Sequence, residues 1–124
     1  MSVPVSLQAL HDRIREFGGG ARAYLVTMGE SGPHVVSVEV RTDGELLMVD
    51  AGRRTTANVE ANPTVTLLWP PVGGGDYSLI VDGTGELLGE DPPALSIHLS
   101  AAVLHRVAGA TGDGPTCVRV LPAP

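Results

Sequence analysis

Between residues 5 and 17, VSLQALHDRIREF, apolar side chains recur at steps of three and four: Leu7, Leu10, Ile14 and Phe17. That period fits an α-helix, so the spacing predicts an amphipathic helix with one stripe facing a core. Ser6 stands where an N-cap would sit, and glycines 18–20 predict the end of the helix. From residue 21 the period shortens. ARAYLVTM (21–28) is a short apolar run, and GESGP after it has turn composition. HVVSVEVR (34–41) alternates, with Val36, Val38 and Val40 on one side and Ser37, Glu39 and Arg41 on the other, as in a half-buried strand. The Asp-Gly pair within residues 42–44 predicts a hairpin turn, and ELLMVD (45–50) the next strand. These first three strands are expected to form an antiparallel meander.

Residues 55–61 predict a short helix that stops at Asn62, because Pro63 disfavours helical backbone in the residue before it. TVTLLW (64–69) reads as a fourth strand, PPVGGGD (70–76) as a loop, and YSLIVDGTGELLG (77–89) as a long fifth strand. Gly83 and Gly85 inside it predict a bulge or a sharp bend. In residues 91–109, an early proline and the spacing of Leu95, Leu99, Ala102 and Val103 predict a second substantial helix. PTCVRVLP (115–122) closes the chain as a sixth strand. The expected fold is mainly β: one domain over residues 1–124, a six-stranded antiparallel split barrel with flanking helices.

Composition narrows the function. The formal charge of −6 disfavours a nucleic-acid partner. No apolar run approaches the roughly 18 residues of a membrane span, and the start has no signal-peptide pattern. The single cysteine, Cys117, fits a reducing cytoplasm and is expected to be a buried strand residue. All eight basic residues are arginine. Without lysine, the chain can form neither a Schiff base nor a phosphate-binding P-loop. Aromatic residues make up 3%, so the core must be aliphatic. His98 and His105 are expected on one helix face, His34 at a strand end, and none of the four histidines has metal-ligand spacing. Trp69 and Tyr77 flank the Pro/Gly loop and read as core or interface packing, or as the walls of a site for a flat ring.

The candidate chemistry lies in DAGRRTTANVE (50–60). Arg53, Arg54, Thr55 and Thr56 stand side by side at a helix start, where guanidinium forks, hydroxyls and free amides could hold an anion such as a phosphate. The alternative is a solvated corner whose arginines neutralise Asp50 and Glu60. No catalytic acid or base can be assigned from spacing.

The meander AYLVTMGESGPHVVSVEVRTDGELLMVD, the basic corner, NVEANPTVTLLW and YSLIVDGTGEL together resemble the pyridoxamine 5′-phosphate oxidase-like family of flavin-binding split barrels, over roughly residues 20–90. The most specific part is Asn-Val-x-x-Asn-Pro-x-Val, from Asn58 to Val65. The resemblance implies a homodimer with flavin mononucleotide (FMN) at the subunit interface and an oxidoreductase activity on a small molecule. It places the phosphate on Arg53, Arg54, Thr55 and Thr56, and the ring near Ser37, Val49, Asp50 and Ala51. Thr55 stands where many flavin-binding members carry a lysine, and Asp50 adds repulsion. A weakened grip follows, so a member that takes a deazaflavin coenzyme, or a non-catalytic member without flavin, stays open as an alternative.

Overall fold

A computed structural model of the chain describes residues 7–17, 22–73, 75–108 and 117–121. Its elements are α1 (Leu7–Glu16), β1 (Arg22–Gly29), β2 (Gly32–Glu39), β3 (Arg41–Asp43), β4 (Leu46–Asp50), α2 (Arg53–Ala61), β5 (Thr64–Trp69), β6 (Tyr77–Leu88), β7 (Ala94–Arg106) and β8 (Cys117–Leu121). Ser6, glycines 18–20 and residues 115, 116 and 122 lie outside the described residues.

Every strand pairing is antiparallel, in the order β2-β1-β5-β6-β7-β4-β3, with β8 also on β7. β6 runs along one edge of β7, so β4 and β8 share the other edge in tandem. β2 and β3 stand at opposite ends of this order, yet Val40 alone separates them in the chain. The two ends of the sheet must therefore meet, and the sheet curls into a split barrel. Alternate residues fill its interior. Leu25, Leu67, Leu79, Val81, Leu47, Val49, Leu95 and Ile97 are all buried, with Trp69 the largest side chain among the fully buried ones. Leu10, Ile14 and Phe17 of the α1 segment are buried too, as their spacing predicted. Each fully buried aliphatic side chain contributes roughly 1.5–3 kcal/mol over leaving it exposed, so an aliphatic core suffices for this domain.

Three expectations change. Residues 91–109 are not a helix but contain the 13-residue strand β7. Leu95 and Ile97 are buried and Leu99 is half-buried, at alternate positions. Asp82 then pairs with Ala101 and Gly83 with Leu99, so Ser100 is inserted without a partner. This bulge moves the inward phase by one residue, and Ala102 and Leu104 become the buried positions. The resulting steps of four and three from Leu95 through Leu99 to Ala102 copy a helical stripe. Backbone pairing along both edges outweighs that local resemblance to a helix.

The strand count also rises to eight, because the stretch expected as one strand from 34 to 41 breaks at Val40 into β2 and β3, and because β7 stands where a helix was expected. The expected three-strand meander does not form. β1 and β2 pair as a hairpin, but β4 pairs with β7 and β3. β2 approaches β4 without a ladder between them, which is where the barrel is split. The hairpin turn falls at Gly44 and Glu45, one step later than expected, with Gly44 at φ +61°.

The glycine signal in β6 holds. A Cβ at Gly83 would lie 2.5 Å from the carbonyl oxygen of His98, so only glycine lets the bulged strands approach this closely. No helix among the described residues is long and apolar enough to cross a membrane.

Candidate functional site

Helix α2 begins at Arg53, two residues before the expected start, and has two distinct faces. Thr55, Asn58 and Val59, at i, i+3 and i+4, are buried against the barrel. The Nδ2 group of Asn58 donates to Thr27 Oγ1 on β1 at 3.0 Å, a side-chain bond wholly inside the protein. Gly29 lies beneath the same amide, where a Cβ would come within 3.0 Å of Asn58 Oδ1. Val59 packs towards Gly85 of β6, where a Cβ would stand 3.4 Å from Val59 Cγ1 and only 2.7 Å from Leu95 Cδ1. The Asn-Val pair of the sequence motif is thus the clamp that seats α2 across β1 and β6. At the other end, Asn62 N–H donates to Asn58 O at 2.7 Å, and Asn62 Oδ1 accepts from Thr64 N at 3.1 Å. Both asparagines of the motif therefore have structural tasks.

The opposite face carries Arg53, Thr56, Ala57 and Glu60, at i, i+3, i+4 and i+7. Together with Ala51, Gly52, Pro92 and Pro93 they line an open hollow of about 490 Å³. Ala51 N–H donates to Pro93 O at 3.0 Å and ties the 89–93 loop to the helix start. Gly52 is the N-cap, with φ −77° and ψ −179°, and no side chain caps the helix. Thr56 N–H reaches Gly52 O at 2.9 Å, but the amides of Arg53, Arg54 and Thr55 have no such partner within the helix. No acid stands in the first turn. Thr56 Oγ1 is closed off from solvent and has no hydrogen-bond partner.

Charge pairing describes the corner further. Arg13, Arg15 and Arg41 each face a carboxylate. Arg41 takes Asp50 at 3.0 Å. Among the described residues, Arg53 and Arg54 face none, and Glu60 is likewise unpaired. The two arginines make no ion pair with Asp50 or Glu60, and Asp50 is paired with Arg41. The start of α2 keeps its positive helix-dipole end and an uncompensated guanidinium beside an open hollow.

Of the residues expected at a site, the hollow brings together Ala51, Arg53 and Thr56. Arg54 is exposed on the flank of α2 and does not line it, and Thr55 is 3% exposed and faces the barrel. Val49 is fully buried in the core, and Asp50 is exposed beside Arg41. Ser37 is exposed on the outer face of β2 and heads a row of paired residues across the sheet: Tyr24, Leu68, Ile80 and Val103. Val35 pairs with Val26 in the next row, and Val35, Met28 and Tyr24 are 55%, 43% and 41% exposed. This outer face is largely apolar, exposed at Tyr24, Met28 and Val35 and half-buried at Leu68, Ile80 and Val103.

Ala57 and Glu60 were missed as lining residues, yet legible in principle from helical spacing off Arg53 once the helix starts there. Pro92 and Pro93 were not, because the segment containing them was expected to be helical. The expected burial of Cys117 is corrected, since it is exposed at the start of the edge strand β8. His98 and His105 lie on a strand rather than a helix, and both are exposed. His34 is half-buried on β2, and Trp69 is core. Among the described residues no group of three or more His, Cys, Asp or Glu could hold a metal ion.

No family model matches the chain. Two relatives, uncharacterised proteins of Mycobacterium bovis and Mycobacterium tuberculosis, are each 35% identical over 112 residues, which covers 78% of this chain and 78% of theirs. Among solved structures, an F420 reductase superposes with a TM-score of 0.59 at 20% identity, covering 67% of this chain and 89% of that one. A Listeria innocua protein described as a candidate pyridoxamine 5′-phosphate oxidase reaches a TM-score of 0.65 at 18% identity, covering 77% and 97%. The haem-storage protein HutZ of Vibrio cholerae reaches 0.59 at 16% identity, covering 73% and 90%. At these identities the structures establish the fold, which carries F420-reductase, pyridoxamine 5′-phosphate oxidase and haem-storage names alike. The chain belongs to one family with the two mycobacterial proteins, and its fold is the pyridoxamine 5′-phosphate oxidase-like split barrel.

Proposed function

We propose that the protein is a cytoplasmic homodimeric oxidoreductase that holds the phosphate of FMN at the start of α2. The observation that carries this reading is the positive end of that helix: Arg53 without an ionic partner among the described residues and first-turn amides that no side chain caps, beside one open hollow. A phosphomonoester matches such a donor set, because it offers acceptor oxygens and carries the opposite charge. Arg53 would fork onto the phosphate, the open amides of the first turn would donate to it, and Arg54 on the flank would add long-range attraction. Thr55 faces the barrel and is left out of the grip. When bound, the flavin ring supplies hydride chemistry that no side chain of this chain can supply. The protein's part is to position it and shield it from water.

The apolar outer face running from Tyr24 to Val103 supports a dimer, because a second copy would cover it. The ring would then lie at the joint between subunits, where Ser37 heads that row. A dimer predicts a solution mass of twice the 12.8 kDa chain. Val35→Glu should lower it towards the monomer.

Titration with FMN, followed by flavin fluorescence, tests the reading. Arg53→Ala should weaken binding by about tenfold or more, the scale of a lost charge-assisted hydrogen bond. A protein that shows no interaction at millimolar FMN refutes it. The second reading is a non-catalytic dimer, or a member using a deazaflavin coenzyme. It is favoured by the lining of the hollow, which offers a single arginine, Arg53, beside the Glu60 carboxylate. A null FMN titration with a response to a deazaflavin would select the coenzyme variant.

A further inference from the structure

We infer that Asn58 and Thr27 are positioning residues for the anion site: their bond inside the protein fixes how far α2 is turned about its own axis, and with it the aim of Arg53 and the first-turn amides. This rests on the phosphate reading above. Neither residue borders the hollow. Asn58 is 7% exposed and Thr27 1%, and the Asn58 Nδ2 group donates to Thr27 Oγ1 at 3.0 Å. Gly29 crowds the same amide, since a Cβ there would stand 3.0 Å from Asn58 Oδ1 and 3.3 Å from Nδ2. The start of the helix has no comparable hold. Gly52 caps it without a side chain, and Arg53 makes no ion pair among the described residues.

Arg53 and Asn58 lie five positions apart in α2. At about 100° per residue they are roughly 140° apart around the axis, so one acts on the other only through the helix that carries both. A helix with its side chains is roughly 10–12 Å across, and a turn of about 20° moves a group at its rim by about 2 Å. An N–H···O bond tolerates a spread of only about 0.5 Å. Without the Asn58 bond, the contacts of Val59 still hold α2 on the barrel, but apolar contact is non-directional. The setting of the helix then becomes an ensemble. If a third to a tenth of that ensemble keeps the native aim, the apparent Kd for FMN rises about three- to tenfold.

The test measures Kd for FMN on the full chain, at a temperature where thermal unfolding shows each variant to be folded. Thr27→Val removes the acceptor, Thr27→Ser keeps it, and Gly29→Ala keeps both partners but pushes on the amide. Val81→Ala, buried in β6 four residues before Gly85, controls for lost stability alone. Thr27→Val and Gly29→Ala should weaken FMN about three- to tenfold, while Thr27→Ser and Val81→Ala bind as the native chain does. In an Arg53→Ala background the penalty of Thr27→Val should shrink to about twofold or less, because the aimed group is gone. Residues with no shared partner would otherwise contribute additively. A folded Thr27→Val protein with native Kd overturns the inference and leaves the phosphate reading standing; should it not fold, Gly29→Ala decides in the same way. An equal penalty with and without Arg53, or an equal loss in Val81→Ala, overturns it too. If Arg53→Ala alone leaves FMN affinity unchanged, or FMN does not bind, the phosphate reading fails and the positioning role falls with it.

Discussion

Gly52→Asp should raise the stability of the free protein and lower its affinity for FMN. Gly52 already has the extended backbone of an N-cap but no side chain to cap with, and nothing lies within 4 Å of where its Cβ would sit. An Asp there can accept from the open amides of the first turn. The cap is worth a few tenths of a kcal/mol over glycine, the helix dipole adds about 0.3–1, and lower freedom in the unfolded chain adds about 0.4–1. Allowing for overlap, a net gain of about 1 kcal/mol is expected, a rise of roughly 3–6 °C in melting temperature for a chain of this length. The same carboxylate would sit beside the phosphate. At about 5 Å, with an effective dielectric between 80 and 20, the repulsion is about 0.8–3.3 kcal/mol, or roughly fourfold to a few hundredfold in Kd. Gly52→Ala is the control, since it changes chain entropy without adding an oxygen. Thermal unfolding and FMN titration on the three proteins separate the terms. A Gly52→Asp protein that is more stable and binds FMN as tightly as the native chain would show that the phosphate does not sit at the start of α2.

The Asn58–Thr27 bond can be measured by a double-mutant cycle in urea. Asn58→Ala and Thr27→Val should each cost about 1–3 kcal/mol, because each leaves a buried polar partner unsatisfied, with a coupling of about 1 kcal/mol or more. A coupling near zero would mean the bond does not form. Gly83→Ala should cost several kcal/mol or prevent folding, because its methyl group meets the His98 carbonyl oxygen rather than a side chain that could move. Gly83→Ala with an unchanged melting temperature would contradict the close approach of β6 and β7.

Local chemistry made the first helix, the Pro63 stop, β5 and the bulge glycines legible in the sequence. Each depends on residues a few positions apart: the Leu10–Ile14 spacing, the Asn62-Pro63 step, Gly83 within an apolar run. What was not legible depended on distant partners. β7 was hidden because the Ser100 bulge exists only against β6, and inserting one residue into the alternation leaves a stripe that a helix shares. The order of the sheet was hidden for the same reason. Nothing in the Val40 neighbourhood says that β4 will pair with a strand nearly fifty residues later instead of with β2. The Thr42-Asp43-Gly44 signal found the hairpin but not its register, since the glycine takes the positive φ and the aspartate stays in the strand.

The site was legible as a stretch and not as a surface, and Thr55 shows why. Four neighbouring polar residues at a helix start look equivalent in sequence. On a helix they point in four directions about 100° apart, and only the clamp of Asn58 and Val59 decides which way each one faces. Thr55 shares the buried face with that clamp, so a lysine at 55 cannot restore a phosphate contact without unseating α2. Thr55→Lys should therefore destabilise the protein by several kcal/mol, the cost of forcing a charged side chain into a 3% exposed site, and should not tighten FMN binding. Placing the lysine at Thr56 instead should leave folding largely intact and strengthen binding, because that position borders the hollow. Thermal unfolding and FMN titration on the two variants decide the matter. A Thr55→Lys protein with native stability and tighter FMN binding would mean that α2 turns when the ligand arrives, exchanging the faces assigned to Thr55 and Thr56.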